Sequence, residues 1–223
     1  MRKLAIIPAK KNSRRLNHKN FKHFNNKPIY KYTLKNLKLS KLFNQIHISS
    51  NIIIEKKYQE FMRPDKLCKN NTTLLQVIHW TLNKFKDQGK IFDVVCLAYA
   101  TSPLINEQDF KKAYKLFEKS DMKYPLLTVC KFSPSINEAM EKEGKFIKII
   151  NDKKFNMDSK KHNDYYFETA SFIFYSALPF YETKFSKFKS YKKFIPYELP
   201  REKSVDINTL DDFKFVKKLS EIQ

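Results

Sequence analysis

The feature that most constrains the fold is an apolar segment near the start of the chain that runs straight into a basic loop. Residues 4–7, Leu-Ala-Ile-Ile, form a short apolar run that Pro8 ends. Runs without polar alternation are typical of strands buried in a parallel sheet. The sequence therefore predicts an α/β fold in which the loop after Pro8 opens at the carboxyl end of a strand, the edge where such sheets bind ligands.

The loop that follows, residues 9–20, combines positive charge with hydrogen-bonding side chains. This combination suits a phosphate, a ribose or a base. A solvated basic loop without a ligand would carry the same charge, so charge alone leaves both interpretations open. The cations are Lys10, Lys11, Arg14, Arg15 and Lys19, and the polar groups are Asn12, Ser13 and Asn20.

A second strand end is predicted in the middle of the chain. Residues 92–100, FDVVCLAYA, are almost continuously apolar, as a central strand requires, and a polar turn, Thr-Ser-Pro-Leu at 101–104, follows directly. Two strand ends should therefore face one crevice. Further strands are expected at 45–50, 126–132 and 146–150, helices at 107–119 and after an N-cap at Thr72 or Thr73, and an exposed loop or arm at 152–162.

Composition limits the class of protein. The length of 223 residues, 42% of them hydrophobic, predicts one folded domain, 1–223, with a sizeable core. No apolar run approaches the roughly 20 residues that span a membrane, and no signal peptide precedes the first strand, so we expect a cytoplasmic protein. Three widely spaced cysteines without metal-site spacing predict reduced thiols.

The net charge of +21 raises the possibility of nucleic-acid binding. Only five of the 44 basic residues are arginine, however, and Lys, Asn, Ile, Phe and Tyr are all abundant. Because A/T-rich codons favour these residues, we attribute the charge to genome composition ahead of polyanion binding. No zinc-finger spacing or RNA-recognition signature supports nucleic acid as a partner.

The order of residues in the basic loop resembles the N-terminal signature of the acylneuraminate cytidylyltransferases, IPARGGSKRIPRKN, in which QNS can replace GGS. Arg14 stands at the family lysine, Lys10 at the arginine after Pro-Ala, and Asn17 at the second proline. The residues that match a family form are Ile7, Pro8, Ala9, Asn12, Ser13, Leu16, Lys19 and Asn20.

Later segments resemble further motifs of the same family. Residues 101–104 match its TSPL motif, and Tyr99 before them is closest to the pseudaminic acid branch, which reads YATAPF here. The segment 165–174 resembles that branch's YHDAGQFYW, with Glu168 at the acidic position and Ala170 at the glycine. The end of the chain resembles the closing Asp-Ile-Asp-Thr motif, with Asp206 at the first aspartate and Asn208 at the second.

The resemblance implies a fold and an activity. The fold would be a Rossmann-like, GT-A-like nucleotidyltransferase sandwich of three layers, with a mostly parallel central sheet and a dimerisation or sugar-pocket subregion around 133–175. The activity would be transfer of CMP from CTP to a nine-carbon acidic sugar, a nonulosonic acid of the pseudaminic type, with Mg²⁺ or Mn²⁺ as cofactor. A homodimer is implied, with no membrane partner.

The resemblance also assigns residues to roles. Lys10, Arg14, Lys19 and Asp206 would be catalytic, and Asp206 and Asn208 would bind metal. Ser102, Glu168, Thr169 and Ser171 would contact the sugar. The nucleotide would contact Ala9, Lys10, Asn12, Ser13, Asn20, Arg63, Tyr99 and Thr101.

Two alternatives share the fold. The lysine at 10 and the uncharged amide at 208 also fit a diverged, noncatalytic nucleotide-binding relative, because Mg²⁺ prefers carboxylates and water. A CMP-Kdo synthetase or another sugar nucleotidyltransferase remains open as well, since pocket residues and not the fold select the sugar.

Overall fold

The structure, a computed structural model, describes residues 1–158, 163–185 and 191–222. The strands in this part of the chain are β1 (Lys3–Pro8), β2 (His23–Phe24), β3 (Lys27–Pro28), β4 (Gln45–Ser49), β5 (Val94–Ala98), β6 (Leu126–Lys131), β7 (Met140–Glu143), β8 (Phe146–Ile149), β9 (Tyr166–Ser176) and β10 (Ile195–Glu198). The α-helices are α1 (Tyr30–Ser40), α2 (Leu74–Asp87), α3 (Glu107–Lys119), α4 (Asp152–Phe155), α5 (Leu178–Glu182) and α6 (Leu210–Ser220).

Six of these strands form the central sheet, in the order β10-β6-β9-β5-β1-β4. β1 pairs in parallel with β4 on one side and with β5 on the other, so that Ile7 lies opposite Ile48 and Ile6 opposite Leu97. β9 runs antiparallel between β5 and β6, while β10 is parallel to β6. The predicted mostly parallel sheet is confirmed, and the carboxyl ends of β1, β4 and β5 lie at one edge.

Helices cover both faces of this sheet, which explains why β1 is apolar on both sides. Ala5 and Ile7 pack in the core cluster that includes residues of α1 and α3. Leu4 and Ile6 pack in a second cluster with residues of α2 and α5. The predicted three-layer sandwich follows directly from this alternation, because successive side chains of a strand point to opposite faces.

The long helices begin where side chains can satisfy their first N–H groups. Thr73 caps α2 in a capping box with Gln76. Of the two threonines predicted as the N-cap, Thr73 is therefore the correct one. Thr209 and Asp212 form the same arrangement at α6. α3 spans Glu107–Lys119 as predicted.

The region 133–175 divides between the central sheet and a small excursion. β7 and β8 pair only with each other and are exposed along almost their whole length, whereas β9 lies in the middle of the main sheet. The expected loop at 152–162 begins instead with the short helix α4, and residues 159–162 lie outside the described part. None of the helices in the described ranges has the length and apolar character needed to cross a bilayer.

Candidate functional site

A cleft of about 170 Å³ lies at the carboxyl edge of the sheet, where the sequence predicts ligand binding. Its walls come from the basic loop, from the segment between β4 and α2, from the start of α2 and from the end of β5. Four cations line it together: Lys10, Lys19, Arg63 and the exposed Lys69. The other lining residues are Pro8, Ser13, Asn20, Leu67, Thr72, Leu74, Val77, Tyr99, Ala100 and Thr101.

Backbone hydrogen bonds attach the basic loop to the neighbouring strand. The Ala9 N–H donates to the Ser49 carbonyl oxygen at 2.9 Å, and the Lys11 N–H donates to Asn51 Oδ1 at 3.0 Å. Asn20 is buried, and its Nδ2 donates to the carbonyl oxygen of Lys10 at 2.9 Å. The Asn20 amide thus closes the loop upon itself and fixes the backbone that presents Lys10.

Lys10 is held at the opposite wall of the cleft. Its ammonium donates to the carbonyl oxygen of Cys68 at 3.1 Å, at the end of the 3₁₀ turn Asp65–Cys68. An ammonium has three N–H donors. Two therefore remain for a phosphate after the contact with Cys68.

Arg63 is the buried cation of the site, with 4% of its surface exposed. Its backbone N–H donates to the Ser50 carbonyl oxygen at 2.7 Å, which ties it to the end of β4. Its Nε and Nη2 have no hydrogen-bond partner among the described residues. Burial lowers the pKa of Arg63, and the nearby Cys68 side chain offsets part of this effect. A buried guanidinium with unpaired donors is costly unless an anion binds there.

Lys19 links the basic loop to the end of the chain. Its Nζ donates to the carbonyl oxygen of Ile207 at 2.6 Å and lies 3.5 Å from Asn208 Oδ1. Asn208 Nδ2 in turn donates to Asp206 Oδ2 at 2.7 Å. Burial lowers the pKa of Lys19, while the Asp206 carboxylate acts in the opposite direction. The predicted catalytic pair Lys19 and Asp206 thus lies in one network with Asn208.

The remaining cation predicted to be catalytic, Arg14, lies in an adjoining depression. This depression shares Lys10, Ser13 and Lys19 with the main cleft and adds the exposed side chains of Arg14 and Arg15. Asn12 is exposed and lines neither. Because the two depressions share these residues, their cations form one continuous surface.

The end of β5 forms the far wall of the cleft. Thr101 is buried at this wall, and the Tyr99 hydroxyl donates to Glu168 Oε1 at 3.3 Å. Burial raises the pKa of Tyr99, and Glu168 adds to the effect. Ser102 Oγ donates to the carbonyl oxygen of Ala170 at 3.2 Å, so the turn after β5 is joined to β9. Ala170 has a φ of 48°, in the left-handed region that favours glycine.

Two of the residues assigned to the sugar are enclosed in the sheet. Thr169 Oγ1 donates to the Thr128 carbonyl oxygen at 3.3 Å and lies 3.1 Å from Ser171 Oγ. Both side chains are buried, and neither lines the cleft. Glu168, by contrast, is exposed beside Tyr99.

Sequence reasoning missed His47, which lies behind the site. The side chain is fully buried, and its ring is 4.4 Å from that of Phe61. Neither ring nitrogen has a hydrogen-bond partner within the part of the chain that the structure describes. Burial lowers the pKa of His47 to about 3, with a further contribution from Arg63. The alternation of side chains along β4 predicts that the side chain of residue 47 faces the α2 layer. The sequence alone does not predict that it lies next to Arg63.

The fold and the site define a class of protein. A Rossmann-like sheet with a cationic cleft at its carboxyl edge is the architecture of a nucleotide-phosphate-binding α/β protein. The chain belongs to the cytidylyltransferase family, because the model of that family matches residues 4–222.

Curated relatives match over the whole chain. A pseudaminic acid cytidylyltransferase of Campylobacter jejuni is 29% identical over 230 residues, covering 100% of this chain and 97% of the relative. A CMP-N,N'-diacetyllegionaminic acid synthase of Legionella pneumophila is 23% identical over 231 residues, again covering 100% and 97%.

Solved structures share the fold at low identity. A CMP:2-keto-3-deoxy-manno-octonic acid synthetase, solved in complex with CTP, has a TM-score of 0.74 and 9% identity, covering 100% of this chain and 99% of the other. The 4-diphosphocytidyl-2C-methyl-D-erythritol synthase of Anaerococcus prevotii has a TM-score of 0.62 and 14% identity, covering 99% and 98%. These similarities confirm the predicted nucleotidyltransferase fold.

Proposed function

We propose that this protein activates a nonulosonic acid of pseudaminic type with CTP, giving the CMP-sugar and pyrophosphate. The observation that carries the proposal is the convergence of Lys10, Lys19 and Arg63 around one cleft at the carboxyl edge of the sheet. The full-length similarity to a pseudaminic acid cytidylyltransferase supports the choice of sugar. A cytoplasmic location stays a prediction from the sequence.

The reaction brings two anions together, and the cations suit this task. The anomeric hydroxyl oxygen of the sugar acid would bond to the α-phosphorus of CTP as the bond from that phosphorus to the β-phosphate oxygen breaks. The hydroxyl proton is released, and pyrophosphate leaves with the bond electrons. Lys10, Arg14 and Lys19 would neutralise the triphosphate and stabilise the leaving group, mainly by preorganised charge.

Binding and alignment would come from the residues around these cations. Arg63 lines the cleft and is buried there, so its positive charge would act on the nucleotide at close range. Tyr99 and Thr101 line the same cleft, Ala9 is tied to the Ser49 carbonyl oxygen at its base, and Asn20 keeps the loop closed. Ser13 lines the cleft and would contact the nucleotide directly, and the exposed Asn12 beside it would do so from outside the cleft.

Mg²⁺ or Mn²⁺ would enter with the nucleotide. Protein-bound Mg²⁺ often takes one or two carboxylates together with substrate phosphates and waters. Asp206 supplies one carboxylate beside the cleft, and the described residues contain no group of three or more His, Cys, Asp or Glu side chains that would hold an ion. The site therefore fits a metal that Asp206 and the phosphates hold jointly, and the ion would offset phosphate charge.

The sugar would lie next to the far wall. The Ser102 hydroxyl donates to Ala170 and can still accept a hydrogen bond, and the exposed Glu168 would accept N–H or O–H groups of the sugar. Thr169 and Ser171 would act through the shape of β9, since their hydroxyls are used inside the sheet.

We also propose a homodimer in which a second copy covers the β7–β8 hairpin. Phe146 and Ile147 are each 67% exposed there, and Ile150 beside them is 64% exposed. Large apolar side chains that are exposed on one small element mark interaction surfaces. A second copy fits because the excursion otherwise leaves both faces of a two-stranded sheet in solvent.

The test is pyrophosphate release with CTP, Mg²⁺ or Mn²⁺, and pseudaminic, legionaminic, N-acetylneuraminic or Kdo acid in separate reactions. Turnover with pseudaminic acid is expected. Asp206→Asn should abolish it, while Asp211→Asn, a matched change at a fully exposed carboxylate, should not. Turnover with Kdo alone would favour a CMP-Kdo synthetase, and CTP binding without any turnover would favour a noncatalytic relative.

A further inference from the structure

We propose that Asn208 is a positioning residue that fixes the Asp206 carboxylate and the Lys19 side chain, and that it is not a metal ligand. This inference rests on the proposed function, because it concerns the same site. It also departs from the role that the closing-motif resemblance implied for this residue.

The two ends of the Asn208 amide face different partners. Its Nδ2 donates to Asp206 Oδ2 at 2.7 Å, and its Oδ1 lies 3.5 Å from Lys19 Nζ. Its backbone N–H donates to Asp212 Oδ2 at 2.9 Å, in the first turn of α6. The side chain is therefore held at both ends, and its backbone is anchored to a helix terminus.

The chemistry of the neighbours fixes which way the amide points. An ionised carboxylate only accepts hydrogen bonds, so the amide group that faces Asp206 must be the NH₂. The amide oxygen then faces Lys19, whose Nζ already donates to the Ile207 carbonyl oxygen at 2.6 Å. A metal ion bound to that oxygen would lie next to a cation, and turning the amide over would set its oxygen against the carboxylate.

An aspartate at 208 would behave differently. It would put two carboxylates in contact, and like charges at that distance repel unless a cation lies between them. The NH₂ of Asn208 supplies a positive dipole to Asp206 instead. In this chain the Asn208 NH₂ therefore takes the place of a cation beside Asp206. The site needs only one metal ion, which Asp206 and the phosphates bind together.

The packing around Asn208 supports this role. Ile207 is fully buried in the cluster that contains Phe24 and Phe213, so the backbone between Asp206 and Asn208 has little freedom. The carbonyl oxygen that receives Lys19 belongs to this same buried residue. A change at 208 should therefore act on the orientation of two side chains more than on the course of the loop.

The experiment measures Mn²⁺ binding to the protein by the enhancement of water proton relaxation, which distinguishes an ion held on the slowly tumbling protein from one held by CTP alone, with CTP present and no sugar. Wild type is compared with Asn208→Ala, Asn208→Asp and Asp206→Asn, and Asn17→Ala, an exposed asparagine of the basic loop, is the control. We expect the Mn²⁺ dissociation constant to stay within about twofold in Asn208→Ala and to rise at least about tenfold in Asp206→Asn. An equal rise in both would overturn the inference.

Steady-state kinetics provide the second readout. Asn208→Asp keeps the size of the side chain and an oxygen that could bind a metal, but it loses the NH₂ group that donates to Asp206. We therefore expect kcat to fall at least about tenfold at saturating Mn²⁺. A kcat at or above wild type in Asn208→Asp would show that the residue acts as a ligand. The binding measurement needs no turnover, so a wild type that binds Mn²⁺ and CTP but processes no sugar would overturn the proposed function alone.

Discussion

The Lys10 ammonium lies 3.1 Å from the carbonyl oxygen of Cys68, to which it donates a hydrogen bond. This contact joins the loop after β1 to the turn before α2 across the cleft. The flexible lysine side chain is thereby preorganised for a phosphate, which reduces the entropy lost when the ligand binds.

We expect Lys10→Ala to lower kcat/KM for CTP about 100-fold, because a positioned charge on the leaving phosphates is removed. Lys10→Arg should stay near wild type, since it keeps the charge and adds a second donor in a planar fork. Lys11→Ala is the control, because Lys11 contacts Asn51 through its backbone N–H, which the substitution leaves in place. Equal losses in both alanine variants would argue against a specific role for Lys10.

Arg63→Met should weaken CTP binding and at the same time stabilise the protein without ligand. The variant removes buried donors that have no partner in the described ranges, and each unsatisfied buried group costs about 1–3 kcal/mol. We expect a CTP dissociation constant at least about tenfold higher and a free energy of unfolding about 1 kcal/mol higher. Calorimetric titration and urea denaturation measure the two quantities, and a destabilised variant would contradict the second.

His47 should make stability depend on pH. Its pKa is about 3 in the folded protein, below the usual 6.5, so the unfolded chain binds the proton more readily. The stabilisation is complete above about pH 6.5 and is lost as the pH falls from there towards about 3. When the pH is lowered from about 7.5 to about 5, the free energy of unfolding of the wild type should fall by about 2 kcal/mol more than that of His47→Leu.

Urea unfolding of both proteins at the two pH values measures this difference. His23→Leu, a change at an exposed histidine, serves as the control and should keep the wild-type dependence. Parallel pH profiles for wild type and His47→Leu would mean that His47 is not buried in its neutral form.

Removing the cap of α2 should reduce stability. Gln76 N–H donates to Thr73 Oγ1 at 3.3 Å, and Thr73 N–H donates to Gln76 Oε1 at 2.8 Å. Thr73→Ala should lower the free energy of unfolding by about 1 kcal/mol. Thr72→Ala, next to it, should cost less than about 0.5 kcal/mol, and the reverse order would place the cap at Thr72.

Polar substitution on the β7–β8 hairpin should separate the proposed dimer. The double variant Phe146→Ser with Ile147→Ser removes the two most exposed apolar side chains of the hairpin. Light scattering after size-exclusion chromatography should then give about half the wild-type mass. Lys142→Ser on β7 is the control, and a wild type that is already monomeric would refute the proposal.

Local apolar patterns in the sequence predicted much of the fold. The apolar runs of β1 and β5 predicted buried parallel strands, and the apolar spacing of α3 predicted that helix to its ends. These predictions succeed because each kind of burial gives its own apolar pattern. A strand buried on both faces is a continuous apolar run, and a helix buried on one face has apolar residues three or four positions apart. The short helix α4 was not predicted, since four residues are too few to carry a helical period.

For the site, the sequence by itself determined which groups are present: a cationic loop after β1, a polar turn after β5 and a carboxylate near the end of the chain. Only the tertiary structure decided how each group is used. It commits Asn20 to closing the loop, Thr169 and Ser171 to the interior of the sheet, and the Asn208 amide to Asp206 and Lys19. It also sets His47 behind Arg63. These roles depend on contacts between residues far apart in the chain, and a local sequence pattern carries no record of which distant partner satisfies a polar group.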